Sequence, residues 1–240
     1  MRLSRTHVDA PLAVGAVVTL SENATGHLVR VLRLGLGDAC IVFNGDGADY
    51  EARLVSLGKR GAEVEVMARH ALANESPLRI TLAQAIARGE KMDWVLQKAT
   101  ELGVEAVVPL LTERTEVKLD AERSEKRSAH WRGVVIAACE QCGRARVPAI
   151  AAPVTLRDWL AGRATPGWFL DPDAERGLRD PEPGELTLVV GPEGGLGDRD
   201  LASLRAAGFR GLRLGPRILR TETAGVAVLA ALQALHGDLG

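Results

Sequence analysis

A change of pattern near Pro77 constrains the fold more than any other feature of this chain. Beyond it, apolar runs suited to buried strands alternate with segments whose apolar residues recur at helical spacing. The predicted strands are residues 78–85, 106–110, 168–171, 186–190 and 211–214, and the predicted helices include 90–102, 125–142 and 224–236. Because continuous apolar strands that alternate with helices form parallel sheets covered on both faces, residues 78–240 are predicted to form an α/β domain.

The chain before Pro77 has the pattern of short strands and tight turns. Its β-rich or alternating runs are residues 14–20, 39–43, 51–56 and 63–68. Asn44-Gly45-Asp46-Gly47 supplies two pairs of residues that tolerate positive φ, which is the strongest hairpin signal in the chain. One helix is predicted over residues 24–34. Residues 1–73 are therefore predicted to form a small, mostly antiparallel β-barrel, followed by a linker at 73–77.

Charge and hydropathy narrow the class of protein. With 30 Lys and Arg against 31 Asp and Glu, the formal net charge is −1, so the overall charge does not predict a nucleic-acid partner. A basic surface would have to come from local clustering, because counterion release needs cations close to phosphates. No apolar run approaches the roughly 20 residues of a membrane span. Residues 1–5 are not followed by the apolar stretch of a signal peptide. We therefore expect a soluble, cytoplasmic protein.

Residues 191–197, Gly-Pro-Glu-Gly-Gly-Leu-Gly, directly follow one of the predicted strands. Four glycines in seven residues let the backbone adopt positive φ and let a ligand approach it closely. In open parallel sheets, ligands bind beyond the carboxyl ends of the strands, so this loop is a candidate binding loop. Pro192 and Glu193 exclude the dinucleotide fingerprint, and the lack of a following Lys-Ser or Lys-Thr excludes a Walker A loop. Asp198 is predicted to cap the next helix.

A second unusual segment follows the predicted strand 211–214. Gly215-Pro216 forms a bend, and Thr221 or Thr223 is predicted to cap the last helix, residues 224–236. That helix carries no Asp, Glu, Lys or Arg, and a helix that is apolar all round must be buried all round. A second subunit is predicted to provide part of the cover.

Together the two segments resemble the cofactor-binding signature of the trefoil-knot RNA methyltransferases. The matching residues are Gly191-Pro192-Glu193-Gly194-Gly195, Leu214-Gly215 and Ile218-Leu219-Arg220-Thr221-Glu222-Thr223-Ala224. In detail the chain is similar to the ribosomal RNA small subunit methyltransferase E family, and the similarity continues through residues 31–34, 97–104 and 140–144. It departs from the family at Arg5-Thr6-His7, where an aromatic residue usually follows the arginine, and at Gly197-Asp198, where a small hydroxyl residue is more usual.

This resemblance implies a PUA-like barrel, residues 1–73, followed by a SPOUT-type α/β domain, residues 78–240, with a C-terminal trefoil knot. It implies a homodimer that binds S-adenosylmethionine without a metal ion. The implied activity is methylation of N3 of a uridine in 16S ribosomal RNA, in the small ribosomal subunit. The implied cofactor-binding residues are Leu170, Gly191, Pro192, Glu193, Gly194, Leu214, Gly215, Ile218, Leu219 and Thr223.

Four residues of the first domain are candidate RNA contacts. Arg30 and Arg33 lie three apart, on one face of the predicted helix 24–34, and could bind phosphate together. His27 lies on the same predicted helix, and Arg5 belongs to the segment that resembles the family. The alternative for the arginine pair is an ordinary solvated surface.

The chemistry of N3 methylation indicates which residue types could be catalytic. Uracil N3 carries a proton and is a poor nucleophile while neutral, so the enzyme must help to remove that proton. Arg220 and Arg144 are candidates for stabilising the negative charge that develops, and Glu222 and Glu140 are candidates for taking the proton. Two alternatives stay open: a knotted methyltransferase that acts on a ribose 2′-hydroxyl or on transfer RNA, and an RNA-binding relative without catalytic activity.

Overall fold

The computed structural model describes residues 3–58, 61–117, 120–162 and 165–240, which form two compact units. The first unit comprises Met1–Glu75 with Cys139–Val147, and the second comprises Ser76–Ala138 with Pro148–Gly240. The chain passes from one unit to the other within the predicted linker at 73–77. Residues 139–147, which the sequence places in the α/β domain, belong instead to the first unit.

The first unit is built on one five-stranded sheet. Its elements are β1 (Arg5–His7), β2 (Val17–Thr19), α1 (Glu22–Thr25), β3 (Ala39–Phe43), β4 (Ala48–Gly58) and β5 (Gly61–Ala71). The strand order is β1-β3-β4-β5-β2, in which β1 and β3 are parallel and the other neighbours are antiparallel. The predicted hairpin is confirmed, because β3 and β4 pair on either side of Gly45 and Gly47, whose φ angles are 94° and 92°.

The core of the first unit follows the two-residue period of its long strands. In β4 the buried residues are Ala48, Tyr50, Ala52 and Leu54, and in β5 they are Ala62, Val64 and Val66. These side chains join one apolar cluster with residues of β2, α1 and β3. The alternation predicted for residues 51–56 and 63–68 is therefore confirmed, because successive side chains of a strand point to opposite faces.

The helix predicted over residues 24–34 is shorter than expected. α1 is capped by the Ser21 hydroxyl, which accepts a hydrogen bond from the Ala24 N–H at 3.2 Å. It continues as a single π-helical turn, Gly26–Val31, in which the Leu32 N–H donates to the His27 carbonyl at 3.0 Å. Arg33 then adopts a left-handed φ of 59°, which ends the helix.

The second unit is built on a wholly parallel seven-stranded sheet. Its strands are β6 (Arg79–Ala85), β7 (Ala106–Leu111), β8 (Ala149–Ile150), β9 (Val154–Thr155), β10 (Trp168–Leu170), β11 (Glu185–Val190) and β12 (Arg210–Leu212). Its helices are α2 (Lys91–Glu101), α3 (Ala121–Cys142, whose last four residues belong to the first unit), α4 (Leu156–Ala161), α5 (Asp198–Ala206) and α6 (Thr221–His236). The strand order is β12-β10-β11-β6-β7-β8, with β9 also paired to β7. The predicted α/β class with a parallel sheet is confirmed.

Helices cover both faces of this sheet. Ala83, Val108 and Val189 pack against α4 and α5 in one apolar core. Gln84, the residue after Ala83 in β6, points to the opposite face and donates a hydrogen bond to Thr221 of α6. α6 contacts β6 and β11 on that face and packs beside α2. Among the residues described, no helix has both the length and the apolar character needed to cross a membrane.

Candidate binding pocket beyond the parallel strands

A cavity of about 560 Å³ lies beyond the carboxyl ends of the strands in the second unit. Most of its lining comes from the segments that follow β10, β11 and β12, and Lys91 and Arg114 complete it. β10 pairs with both β11 and β12, so the ends of these three parallel strands meet at one edge of the sheet. A pocket of this volume at this edge has the size and place of a small-molecule site in α/β proteins.

The loop after β11 is a tight turn whose glycines have separate roles. Gly195 has a φ of 71°, and its N–H donates to the Pro192 carbonyl at 2.9 Å. A Cβ on Gly191 would lie 2.9 Å from the Leu196 nitrogen, so the loop folds too closely there for any side chain. Gly194 does not line the cavity, and its carbonyl accepts a hydrogen bond from Arg114 at 2.9 Å. The sequence thus identified the loop, but Gly195 and not Gly194 faces the pocket.

Glu193 ties this loop to the start of α2. One carboxylate oxygen accepts hydrogen bonds from the Lys91 ammonium at 2.9 Å and from the Arg88 backbone N–H at 3.1 Å. Burial raises the pKa of the Glu193 carboxyl, but the hydrogen bonds from Lys91 and from the backbone N–H groups of Arg88 and Glu193, together with the Lys91 charge, outweigh that effect, and the net pKa is lowered. Glu193 is therefore held as a carboxylate, in a fixed position, at the edge of the cavity.

The loop after β12 forms the opposite wall. Leu214, Gly215, Ile218 and Leu219 all line the cavity, as does Leu170, the last residue of β10. Ile218 is 78% exposed, so a ligand in the cavity would cover an apolar side chain that now faces water. Thr223 is exposed and is not among the described lining residues.

Several lining residues are not among the site residues that the sequence analysis named individually. They are Lys91, Arg114, Asp171, Pro172, Asp173, Val190, Gly195, Leu196, Leu201, Leu212, Arg217, Thr221 and Ala224. Asp171 follows β10 directly, so the rule that ligands bind at strand ends could have found it. Lys91 and Arg114 follow β6 and β7, and their approach to the cavity depends on long-range packing that no local pattern records.

Arg220 and Glu222 flank the first residue of α6 and both line the cavity. Arg220 is the N-cap residue and Thr221 begins the helix, so the predicted cap by the hydroxyl of Thr221 or Thr223 is wrong. The Arg220 guanidinium is exposed and forms no hydrogen bond or ion pair with any residue that the structure describes. The buried Oε2 of Glu222 has no hydrogen-bond partner among those residues, and Lys91 Nζ lies 3.8 Å from it.

The other two candidate catalytic residues lie in the first unit and already have partners there. Glu140 accepts hydrogen bonds from the Thr6 hydroxyl at 3.2 Å and from the His7 backbone N–H at 2.9 Å. Arg144 is only 6% exposed and forms an ion pair with Glu75 through two nitrogens. Neither residue is among the described residues that line the cavity.

The candidate RNA contacts differ in their exposure. Arg5 is 8% exposed, pairs with Asp49, and donates a hydrogen bond to the Arg144 carbonyl at 3.0 Å. Its position is that of a structural residue, because a phosphate contact would require the guanidinium to leave a buried ion pair.

His27, Arg30 and Arg33 are all exposed. The prediction that Arg30 and Arg33 share one helical face is wrong, because the helix ends before Arg33. The Arg30 guanidinium folds back over Gly26, where an added Cβ would lie 2.6 Å from it.

No group of three or more His, Cys, Asp or Glu in the described ranges is arranged to hold a metal ion. The polar residues that line the cavity include the acidic Asp171, Glu193 and Glu222 and the basic Lys91, Arg114 and Arg220.

Two family models place this chain in the class of RNA methyltransferases. Residues 74–233 match the family model of the RNA methyltransferase domain, and residues 20–67 match that of the RNA methyltransferase PUA domain.

Curated relatives and solved structures narrow the class to one family. The chain is 32% identical to a ribosomal RNA small subunit methyltransferase E of Buchnera aphidicola, over 99% of this chain and 98% of that protein. It is 35% identical to the protein of the same name from Synechocystis, over 92% of this chain and 74% of that protein. The chain belongs to the ribosomal RNA small subunit methyltransferase E family.

Two solved structures of relatives superpose over the whole chain. One is a ribosomal RNA small subunit methyltransferase E from Neisseria gonorrhoeae bound to S-adenosylmethionine, with a TM-score of 0.91, 38% identity and full coverage of both chains. The other is a methyltransferase from Legionella pneumophila in complex with the same cofactor, with a TM-score of 0.95, 38% identity and full coverage of both chains. The PUA-like first unit and the SPOUT-type α/β unit predicted from the sequence are confirmed.

Proposed function

We propose that this protein transfers a methyl group from S-adenosylmethionine to N3 of a uridine in 16S ribosomal RNA. The observation that carries the proposal is the juxtaposition, at one cavity, of the glycine loop with an unpaired Arg220 and a partly buried Glu222. The relatives named above are methyltransferases of small subunit ribosomal RNA, and two solved relatives contain S-adenosylmethionine.

The residues of the cavity suit this cofactor. Leu170, Leu214 and Ile218 offer apolar surface for a flat base, and the backbone at Gly195 leaves open space where a side chain would intrude. Asp171 also lines the cavity. The cofactor supplies an electrophilic methyl group, so no metal ion is required for the chemistry.

Arg220 and Glu222 are the proposed catalytic residues. The guanidinium of Arg220 forms no hydrogen bond or ion pair with the residues that the structure describes. It can therefore stabilise the negative charge that develops on the uracil oxygens as the N3 proton departs. The Glu222 carboxylate can accept that proton, because its buried oxygen has a free hydrogen-bonding position. Glu140 and Arg144 are assigned structural roles in the first unit, in keeping with the partners described above.

The first unit is proposed to bind the RNA, through the exposed His27, Arg30 and Arg33. The substrate is proposed to be 16S RNA in the small ribosomal subunit, and the protein is proposed to be cytoplasmic. The functional domains are proposed to be residues 1–73 and 78–240, and the trefoil knot in the second domain stays a prediction from the family resemblance.

The protein is also proposed to be a homodimer. In a single chain, α6 is buried at Gly225, Val228, Leu229 and Leu232, whereas its opposite face, with Ala227, Ala230 and Ala234, is partly open to water. The predicted burial of this helix on all sides therefore needs a partner, and a symmetric pair is the commonest arrangement.

Nucleoside analysis of 16S RNA tests the proposed reaction. Small subunits from cells without this protein, incubated with the purified enzyme and S-adenosylmethionine, are expected to gain one N3-methyluridine, detected by mass spectrometry. A chelator should leave the binding of S-adenosylmethionine to the purified protein unchanged. A 2′-O-methyl nucleoside, or methylation of transfer RNA alone, would instead support a knotted methyltransferase that acts on a ribose 2′-hydroxyl or on transfer RNA. Cofactor binding without any methyl transfer would support an RNA-binding relative without catalytic activity.

Replacement of Arg220 by alanine tests the catalytic assignment. Because the guanidinium acts on charge that exists only in the transition state, kcat should fall by about a hundredfold to a thousandfold, with little change in cofactor affinity. Single-turnover methylation and calorimetric titration of the cofactor measure the two quantities. Equal losses in both would instead make Arg220 a cofactor-binding residue.

A further inference from the structure

A fully buried polar side chain, Gln84, lies at the end of β6 beneath the pocket. Its Nε2 donates hydrogen bonds to the Ala85 carbonyl and to the Thr221 hydroxyl, each at 3.0 Å. The Ala85 carbonyl can only accept, so the atom that approaches it must be the amide nitrogen, and the orientation of the Gln84 amide is fixed.

The Thr221 hydroxyl links the Gln84 amide to the glycine loop. Its oxygen lies 2.6 Å from the carbonyl oxygen of Gly191, which again can only accept. The Thr221 hydroxyl therefore donates its proton to the Gly191 carbonyl and accepts a hydrogen bond from the Gln84 amide N–H. The chain of hydrogen bonds runs in one direction, from Gln84 through Thr221 to Gly191.

This chain of hydrogen bonds from Gln84 through Thr221 to Gly191, the relay, joins β6, α6 and the loop after β11. Gln84 pairs with Val190 in the sheet, directly before Gly191. Thr221 lies between the two proposed catalytic residues, Arg220 and Glu222. The relay therefore fixes the start of the glycine loop and the start of α6 against the same strand.

The close approach of α6 to β6 depends on Gly225. A Cβ at that position would lie 2.9 Å from Gln84 Oε1, and Gln84 has no exposed surface into which its amide could move. The same Oε1 is buried without a hydrogen-bond partner among the described residues. A buried, unsatisfied acceptor costs stability that an apolar residue of similar shape would not, so the polarity of Gln84 is not explained by stability.

We propose that Gln84 and Thr221 are positioning residues that hold the glycine loop and the catalytic start of α6 in register for methyl transfer. The inference rests on the proposed function, because it assigns the cofactor to this pocket and catalysis to Arg220 and Glu222. Without the relay, the Gly191 carbonyl has no partner in α6, and the loop and the helix can shift independently. Both cofactor affinity and the rate of transfer from bound cofactor then fall.

Thr221→Val removes the hydroxyl and keeps the shape of the side chain. We expect S-adenosylmethionine to bind about tenfold more weakly or worse in calorimetric titration of the full-length protein, the effect of one lost buried hydrogen bond. The single-turnover rate at saturating cofactor should also fall. Thr221→Ser restores the hydroxyl and should bind within about threefold of the wild type, since a threefold change is less than one lost hydrogen bond.

Two further variants separate positioning from stability. Thr100→Val removes another buried threonine hydroxyl, which donates to the Leu96 carbonyl at 2.8 Å within α2 and is not among the described lining residues. It should lower the melting temperature without weakening cofactor binding. The double variant Gln84→Met with Thr221→Val replaces both partners of the Gln84–Thr221 hydrogen bond by apolar groups, so it should regain part of the lost stability. The Gly191 carbonyl still lacks its donor in this variant, so the cofactor should still bind weakly.

The outcomes distinguish this inference from the proposed function. A wild-type protein that neither binds S-adenosylmethionine nor methylates 16S RNA overturns the proposed function and the inference with it. An active wild type whose Thr221→Val variant binds and turns over normally overturns the inference alone. Recovery of both stability and affinity in the double variant would also overturn it, since the relay would then be only structural.

Discussion

The four glycines of residues 191–197 meet different physical requirements. Gly191 leaves room for the backbone of Leu196, and Gly195 supplies a left-handed φ of 71°. Gly197 leaves room for the Glu113 carboxylate, since an added Cβ would lie 2.2 Å from its Oε2. At Gly194 an added Cβ would meet Arg114 at 3.5 Å, which is an ordinary contact. A glycine-rich loop is therefore not uniformly intolerant of side chains.

Gly191→Ala should damage the pocket, whereas Gly194→Ala should not. The alanine methyl at 191 would press on backbone atoms at 2.9 and 3.0 Å, and backbone cannot rotate away as a flexible side chain can. We expect a stability loss of about 1–3 kcal/mol and weaker cofactor binding for Gly191→Ala. Gly194→Ala should stay within about 0.5 kcal/mol of the wild type. Denaturant unfolding and calorimetric titration measure both quantities, and a Gly191→Ala protein with normal affinity would contradict the assignment.

At the scale of elements, α5 begins with a cap that comes from another loop. Its N-cap residue, Gly197, has no side chain to accept a hydrogen bond. Glu113, in the segment after β7, supplies the missing acceptor, since its Oε2 receives the Arg199 N–H at 3.3 Å. Asp200 reciprocates by accepting the N–H groups of Gly197 at 3.0 Å and of Glu113 at 3.1 Å. The predicted cap by Asp198 is wrong, because Asp198 is already helical.

A double-mutant cycle tests whether Glu113 replaces the small hydroxyl residue that is more usual at Gly197. Glu113→Ala should cost about 1 kcal/mol, the typical value of a lost cap. Gly197→Ser alone should be neutral or destabilising, because its Cβ meets the Glu113 carboxylate. In the Glu113→Ala background the same serine should stabilise the protein, because its hydroxyl can now cap α5. Urea unfolding measures all four proteins, and additive effects would show that the two positions are not coupled.

Elements with a long regular pattern were predicted well and short ones were not. β3 (Ala39–Phe43) matches its prediction, β7 is one residue longer at its end, and α2 is one residue shorter at each end. β8 and β9 have two residues each, too few for any periodicity to appear. The π-helical turn at Gly26–Val31 was predicted as ordinary helix, because apolar spacing does not reveal which carbonyl each N–H bonds.

At the scale of the whole molecule, the sequence predicted those parts of the candidate site that directly follow the ends of the parallel strands. The loops after β10, β11 and β12 follow from the parallel sheet and all line the cavity. Glu140 and Arg144 were grouped with them because both lie in a segment that resembles the family. The structure places residues 139–147 in the first unit, and that placement depends on contacts distant in sequence. Local patterns carry no such information.

The face of α6 opposite its buried residues is partly open to water in a single chain. Leu229 and Leu232 are fully buried within the chain, so charge at either would unfold the protein and could not report on a partner. Ala227 and Ala230 are half-buried, and Ala234 is exposed on the other side of the helix. Trp94 of the neighbouring α2 is 42% exposed. Such a face loses stability in water unless another apolar surface covers it.

Ala230→Glu tests the proposed homodimer on this open face. The wild type should sediment as a dimer at micromolar concentration. A carboxylate at position 230 would be buried without a partner in the dimer but solvated in the monomer, so it should weaken association roughly a hundredfold or more. Circular dichroism and the melting curve should show that the variant still folds. Ala202→Glu, the same change at an exposed position of α5, is the matched control and should stay dimeric. A wild-type monomer that methylates 16S RNA, or an Ala230→Glu variant that remains dimeric, would contradict the proposal.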